Sequence, residues 1–226
     1  FENSEFTESQ ITQFGIRRER ITLIRPCPII SPDRFPGIQP IKSVKKPTLL
    51  TVARLVRRKG FNTVIGALEL LRERHVDVAW VIIGDGPYRT EIERLVEEKK
   101  LQDTVTLLGR CTDEEITKWL QACTAFILTP FEEKGDVEGF GVVYLEANAF
   151  GKPVIASKTG GVAEAVLSGR TGLLIEPLDS RQCAVAIEKL ITDHEYAKTL
   201  GEQGKDRIEK EFQWRIQAKL LQKILA

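Results

Sequence analysis

From residue 48 onward, short apolar runs and longer amphipathic segments take turns along the chain. TLLTVA (48–53), VAWVIIG (78–84), VTLLG (105–109), AFILTP (125–130), PVIAS (153–157) and TGLLIEP (171–177) are mostly apolar and too short for ordinary helices. Between them lie FNTVIGALELLRERH (61–75), with Val64, Ile65, Leu68 and Leu71 at helical spacing, then YRTEIERLVEEKK (88–100) and TDEEITKWLQA (112–122). In the last of these, Thr112 followed by Glu115 has the form of a capping box. Strands buried on both faces read as continuous apolar runs, and strand–helix alternation folds into a parallel sheet with helices on both sides. The expected fold class is therefore α/β, with a six-stranded parallel sheet. Three amphipathic helical segments follow it, at 180–193, 195–212 and 213–226. The last carries Trp214, Ile216, Leu220, Leu221 and Ile224 on one side, as expected for packing on the parent domain, with membrane contact as the alternative.

The region before the first strand is less regular. SQITQFGI (9–16) reads as a short helix ending at Gly15, and ERITLIRPCPII (19–30) as a strand broken by Pro26 and Pro28. SPDRFPGIQPIKSVKKP (31–47), with four prolines, reads as a connection. No methionine occurs in the 226 residues, position 1 included, so the chain reads as part of a longer protein.

Composition removes several function classes. Lys plus Arg is 33 against 32 Asp plus Glu, and the basic residues do not interleave with aromatics, which argues against a nucleic-acid partner. No apolar run reaches the length of a membrane-spanning helix, and the first ten residues lack a signal-peptide pattern. Cys27, Cys111, Cys123 and Cys183 have no metal-ligand spacing and read as reduced thiols, consistent with a cytoplasmic protein. His75 and His194, the two histidines, sit in charged, helix-like surroundings and read as surface residues, so a histidine-assisted serine or cysteine nucleophile is disfavoured. No D-x-D pair or His/Cys/carboxylate cluster suggests a metal.

Ligands of open parallel sheets sit beyond the carboxyl ends of the strands. The first strand ends in ARLVRRKGF, where Arg54 and Lys59 flank a tight loop before a helix. That arrangement suits a diphosphate, although exposed basic loops are common. The second ends in GDGPY, where Gly84 and Gly86 permit a tight turn near a ligand; the third glycine of a dinucleotide fingerprint is missing from its usual place. The third ends in LLGRC, whose backbone near Arg110 and Cys111 can pair with a base edge or serve as a plain turn. After the fourth, the acidic loop TPFEEKGDVEGFG leads into EGFGVVYLEA (138–147). A helix starting near Gly141 presents outward amides that bind anions, and Gly139 and Gly141 keep side chains away from them. Glu138 and Glu146 are eight positions apart, about 12 Å along a continuous helix. That exceeds the roughly 5–9.5 Å of paired glycosidase carboxylates and favours two separate hydroxyl-binding tasks. The fifth strand leads to SKTGGVAEAV, where Gly160 and Gly161 offer an amide-rich turn close to Glu164, equally readable as a plain turn with an acid at a helix start.

RLVRRKG, GDGPYRTEIERL, VTLLGR, EGFGVVYLEANAFGKPVIAS, GGVAEAV and GRTGLLIEP, in this order, resemble the family 4 retaining glycosyltransferases over residues 46–215. The resemblance implies one half of a GT-B fold: a Rossmann-like, donor-binding C-terminal domain at 47–210. Residues 1–46 are then a remnant of the N-terminal domain and its link, and 211–226 a C-terminal amphipathic helix. ENSEFTESQITQFGI is similar to the family's inter-domain segment; where the family often has an N-G-V/I-D-like stretch, RPCPIISPDRF stands instead. By the same resemblance Arg54 and Lys59 bind the donor diphosphate. The backbone at Arg110 and Cys111 takes the base, with Gly84 close by, and Glu146 holds the ribose. Glu138 faces the donor sugar, and the amides of Phe140, Gly141 and Val142 support sugar and phosphate. Glu138, Arg54 and Lys59 form the reacting end, and charge on the leaving diphosphate is met by these cations without a metal or other cofactor. The implied activity is hexosyl transfer from a nucleotide sugar, UDP-glucose first, to a saccharide or lipid-linked acceptor in polysaccharide or glycoconjugate synthesis. The acceptor is bound by the other domain, whose family histidine neither His75 nor His194 matches, so the fragment alone is expected to bind donor with little turnover. A peripheral membrane contact of the full protein is a further expectation. A non-catalytic nucleotide-binding module and a nucleotide-sugar epimerase are the competing classes. The complete set Arg54, Lys59, Glu138 and Glu146 argues against the first, and the E-x7-E block does not favour the second.

Overall fold

The structure is a computed structural model that describes residues 1–42 and 45–225. Its centre is a six-stranded parallel sheet of β1 (Thr48–Val52), β2 (Ala79–Ile83), β3 (Val105–Gly109), β4 (Ala125–Leu128), β5 (Val154–Ser157) and β6 (Gly172–Ile175). The spatial order is β3-β2-β1-β4-β5-β6. All six apolar runs singled out above are thus strands, and all are parallel.

Side-chain alternation divides the interior into two cores. Leu49 of β1, Trp80 and Ile82 of β2, Ala125 and Ile127 of β4 and Ile155 of β5 point to one face. There they meet α2 (Phe61–Glu73), α3 (Arg89–Glu98) and α7 (Ser180–Thr192). Leu50, Val81, Ile83, Phe126, Leu128, Val154 and Ala156 point to the other, against α4 (Asp113–Ala122), α5 (Val142–Ala149), α6 (Val162–Ala165) and α8 (His194–Glu211). Period-two alternation inside apolar runs is what a sheet covered on both faces requires. Trp80, 1% exposed, keeps its indole N–H satisfied by donating to Thr51 Oγ1 at 2.9 Å. The capping box of α4 forms as expected, with Glu115 N donating to Thr112 Oγ1 at 3.2 Å and Thr112 N to Glu115 Oε2 at 2.8 Å. His75 and His194 are exposed, and the four cysteines are free thiols.

Three expectations need correction. The first helix, α1, spans Glu5–Gln13 and not 9–16, because Ser4 accepts the Thr7 amide and the Thr7 hydroxyl accepts the Ser4 amide, closing a cap four residues upstream. Residues 19–30 form no strand. Arg18–Arg20 make a 3-10 turn, Leu23 makes a single bridge with Glu2, and the prolines leave the rest extended against the body of the domain. The last helix, α9 (Trp214–Leu225), does not bury its apolar side as expected. Gln217 is buried and accepts the Arg25 amide at 3.1 Å, Leu221 is half-buried, and Trp214, Ile216 and Leu220 are exposed. The side chain of Ile224 lies outside the described residues, as do positions 43 and 44 of the proline-rich connection.

Candidate functional site

In this strand order the chain reverses direction of winding between β1 and β4, and the loops leaving those two strands part to form a crevice. Two adjoining cavities open there, of about 410 and 400 Å³, sharing Val52, Ala53, Arg54 and Val143. The first is lined by Lys59, Arg58, Asp136, Glu138, Gly141 and Val142, the second by Gly84, Asp85, Arg110, Cys111 and Ile116. The structure therefore brings Arg54, Lys59, Glu138, Gly141 and Val142 together at one end, and Gly84, Arg110 and Cys111 at the other, with Arg54 between.

Each loop has a local reason for its shape. Beyond β1 the chain turns through a 3-10 segment, Arg57–Lys59, and then through Gly60 at φ +77°, which starts α2. Beyond β2, Gly84 has φ +133°, and a Cβ there would lie 1.9 Å from the Ala53 carbonyl oxygen. Its amide donates to Gly109 O at 2.7 Å, while Leu55 N donates to Asp85 O at 3.0 Å. Gly84 thus lines the second cavity and also lets the ends of β1, β2 and β3 close on one another.

At the start of α5, Gly141 takes φ +91°. Among the described residues, the amides of Phe140, Gly141 and Val142 donate to no other group, leaving free donors at a helix N-terminus. The Phe140 side chain plays a different part: it is 2% exposed and packs on Phe212, ring centroids 5.9 Å apart, anchoring the loop. Tyr144, in the first turn of α5, donates to Leu128 O at 3.1 Å, and burial pushes its phenol well above the ordinary range.

Charge is paired across the crevice. Lys59 Nζ donates to Glu138 Oε2, Arg58 Nη1 donates to the same oxygen at 3.3 Å, and Arg58 Nε to Asp136 Oδ2 at 2.7 Å. Arg57 pairs with Glu133. Arg54 is exposed and makes no ion pair among the described residues. Arg110 is largely exposed, its Nε 3.5 Å from Asp85 Oδ2. The amides of Arg110 and Cys111 donate to no group among the described residues. Sequence reasoning missed Arg57, Arg58, Glu133 and Asp136. The available signal was the match between three consecutive cations in RRK and the acidic run FEEKGDVE.

Glu146 sits on the inward side of α5, 7% exposed, and its Oε1 accepts the amides of Ile29 and Ile30 at 3.2 Å each. Burial raises its carboxyl above the ordinary range, the two amides partly opposing this. Oε2 accepts no hydrogen bond among the described residues. So the departing stretch RPCPIISPDRF is the backbone that holds Glu146. The Gly160–Gly161 turn is not a free anion cradle. Gly161 N donates to Glu138 O at 3.0 Å, and a Cβ on Gly160 would fall 2.1 Å from that oxygen. Glu164 has turned away to cap α1, accepting Glu5 N and Phe6 N at 2.9 Å each.

The family model described as glycosyl transferases group 1 matches residues 38–207. The chain belongs to this family. Among its relatives, a GDP-mannose-dependent alpha-(1-6)-phosphatidylinositol monomannoside mannosyltransferase of Mycobacterium tuberculosis H37Rv is 34% identical over 173 residues, 75% of this chain and 45% of that one. A putative colanic acid biosynthesis glycosyltransferase, WcaL of Escherichia coli K12, is 29% identical over 92% of this chain and 52% of its own length. The chain spans about half the length of these curated relatives. The crystal structure of Anabaena Alr3699/HepE in complex with UDP and glucose is 25% identical, with a TM-score of 0.84 over 99% of this chain and 61% of that chain. The C-terminal domain of a group 1 glycosyl transferase (LpcC) of Francisella tularensis is 25% identical, with a TM-score of 0.66 over 78% of this chain and 96% of that one. The six-stranded sheet of this glycosyltransferase-family chain is the Rossmann-like unit expected for a GT-B protein. Among its described residues no helix is long and apolar enough to cross a membrane, and no group of three or more potential metal-ligating side chains occurs.

Proposed function

We propose that this chain is the nucleotide-sugar-binding part of a hexosyltransferase, and that the crevice between β1 and β4 holds the donor. The observation that carries the reading is the meeting of Lys59, Glu138, Gly141 and Val142 in one cavity, where Arg54, without an ion pair among the described residues, also lies on the wall, and the amides of Gly141 and Val142 donate to no other described group. In this reading the diphosphate lies along Arg54, Lys59 and the N-terminus of α5, where cations and amides stabilise the charge that develops as the sugar leaves. Glu138 accepts sugar hydroxyls, Glu146 Oε2 accepts from the ribose, and the base lies toward the amides of Arg110 and Cys111. The transfer is of the retaining, family 4 kind, and the cations make it independent of a metal; insensitivity to EDTA checks that point. Residues 1–46 serve as the inter-domain link, 47–210 as the donor unit and 211–226 as a C-terminal helix. The acceptor, a saccharide or lipid-linked sugar of a polysaccharide or glycoconjugate route, binds to a domain beyond this chain, and any peripheral membrane contact belongs to the whole protein.

The donor is a nucleoside diphosphate hexose. UDP-glucose is supported by the structural neighbour that holds UDP and glucose, and GDP-mannose by the curated mannosyltransferases at higher identity. Calorimetric titration of the 226-residue chain with UDP-glucose, UDP, GDP-mannose and GDP separates these. Binding of one pair that collapses in Lys59→Glu, with folding retained, is the expected result. Failure of all four to bind the unaltered chain would sink the donor site.

A further inference from the structure

We propose that Arg58, to which the sequence motifs assigned no role, is a positioning residue for the sugar end of the donor, acting through Glu138; this rests on the donor-site reading above. Arg58 lies in the 3-10 turn after β1 with its side chain 19% exposed, and it grips the facing loop at both ends. Its carbonyl accepts Phe131 N at 2.9 Å where the loop begins. Where the loop ends, its guanidinium spans Asp136 (2.7 Å) and Glu138 (3.3 Å). Between these points the loop folds back on itself, Glu133 N donating to Asp136 O at 3.0 Å and Asp136 N to Glu133 O at 2.9 Å.

The consequence falls on one oxygen. Glu138 Oε2 receives both Arg58 and Lys59, whereas Oε1 makes no hydrogen bond among the described residues. The backbone of Glu138 is held from the opposite side by Gly161 N. A carboxylate fixed at its backbone and at one oxygen holds the other in a single orientation, and Glu138 lines the same cavity as Gly141 and Val142. Lys59 alone, a point charge on a flexible stem, would leave the carboxylate free to swing; the planar fork of Arg58, tied also to Asp136, removes that freedom. Asp136 spends its charge on Arg58, so the pair adds orientation to the site with little net change in its potential.

The test compares each nucleotide sugar with its own nucleoside diphosphate, because only the sugar meets Glu138. UDP against UDP-glucose, and GDP against GDP-mannose, are titrated into the unaltered chain, Arg58→Gln, Arg58→Lys, Glu138→Gln, Arg58→Gln/Glu138→Gln and the charge-balanced Arg58→Gln/Asp136→Asn. Arg58→Gln and the charge-balanced variant should bind the diphosphate within about threefold of the unaltered chain and the nucleotide sugar about tenfold more weakly. Arg58→Lys, which keeps the charge but reaches one carboxylate only, should fall between. Arg58→Gln added to Glu138→Gln should cost nothing more, since both act through one oxygen. Equal losses on diphosphate and sugar, or additive losses in the double variant, overturn the proposal. If Arg58→Gln does not unfold cooperatively, Arg58→Lys decides alone, and an unchanged sugar preference in it overturns the proposal. No binding by the unaltered chain defeats the donor-site reading and this one with it; intact binding with an unchanged sugar preference in Arg58→Gln defeats this one only.

Discussion

Gly60 and Thr129 meet backbone to backbone: a Cβ on Gly60 would lie 1.7 Å from the Thr129 carbonyl oxygen, and the Thr129 hydroxyl donates to Gly60 O at 2.9 Å. This contact joins the loop carrying Lys59 to the exit of β4, so the loops on the two sides of the crevice share one support. Gly60→Ala combines a backbone clash with a left-handed φ, and should lower stability by about 2 kcal/mol or more in urea unfolding. An unchanged midpoint would show that the two loops separate without cost.

Glu146 offers a pH test with a definite sign. Its carboxyl is raised by burial, with Asp113 adding to the shift and the Ile30 and Ile29 amides opposing it. Above the ordinary carboxyl range the native state therefore holds its proton longer than the unfolded chain, and stability falls as pH rises through that window. Glu146→Gln keeps an oxygen for the two amides and removes the ionisation. The variant's Tm relative to the unaltered chain should rise as the pH increases through and above the ordinary carboxyl range. Nucleotide affinity should drop about tenfold, because an amide grips hydroxyls less well than a carboxylate. A difference in Tm that declines with pH would contradict the burial argument.

Glu164 holds α1 to the domain through two charge-assisted bonds, and the Arg207 guanidinium donates to the carbonyls of Ala165 and Glu164 at 2.9 and 2.8 Å. Glu164→Ala should cost about 1–3 kcal/mol in the stability of the α1 contact. Hydrogen exchange should speed up across Glu5–Gln13 while the β1 and β4 amides remain protected. Uniform acceleration through the whole chain would mean that α1 is part of the global folding unit.

Thiol chemistry can test whether the base lies at the Cys111 end of the crevice. Cys27, Cys123 and Cys183 are 1%, 2% and 0% exposed, and burial pushes the first two up to about 11 and the third further. Cys111 is half-buried at the cavity wall, raised first by burial and then by Glu115. Native labelling with iodoacetamide should modify Cys111 first, faster toward alkaline pH, and the bound nucleotide should protect it. Equal labelling of all four thiols under native conditions, or no protection by a nucleotide that binds, would move the base away from Cys111.

Much of this architecture is a local property of the chain. The six apolar runs became strands and the 3.6-residue patterns became helices, because burial on two faces and burial on one stripe leave different periods in a sequence. Arg54, Lys59, Gly84, Glu138 and Gly141 stood out because they follow strands, and the sheet gathers strand ends at one edge. Pairing across the chain left no such trace. Glu164 and Phe6 are 158 positions apart, and Arg58 and Glu138 are 80 apart. A carboxylate has the same letters beside it whether it caps a distant helix, receives two cations or holds the amides of Ile29 and Ile30. Setting β1 beside β4 settled the pairing of Arg58 with Glu138, and the packing of residues 5–30 against α5 and α6 settled the other two. The exposed Trp214 marks the other limit: periodicity shows that a helix has an apolar side, but what covers that side depends on the chain that reaches it.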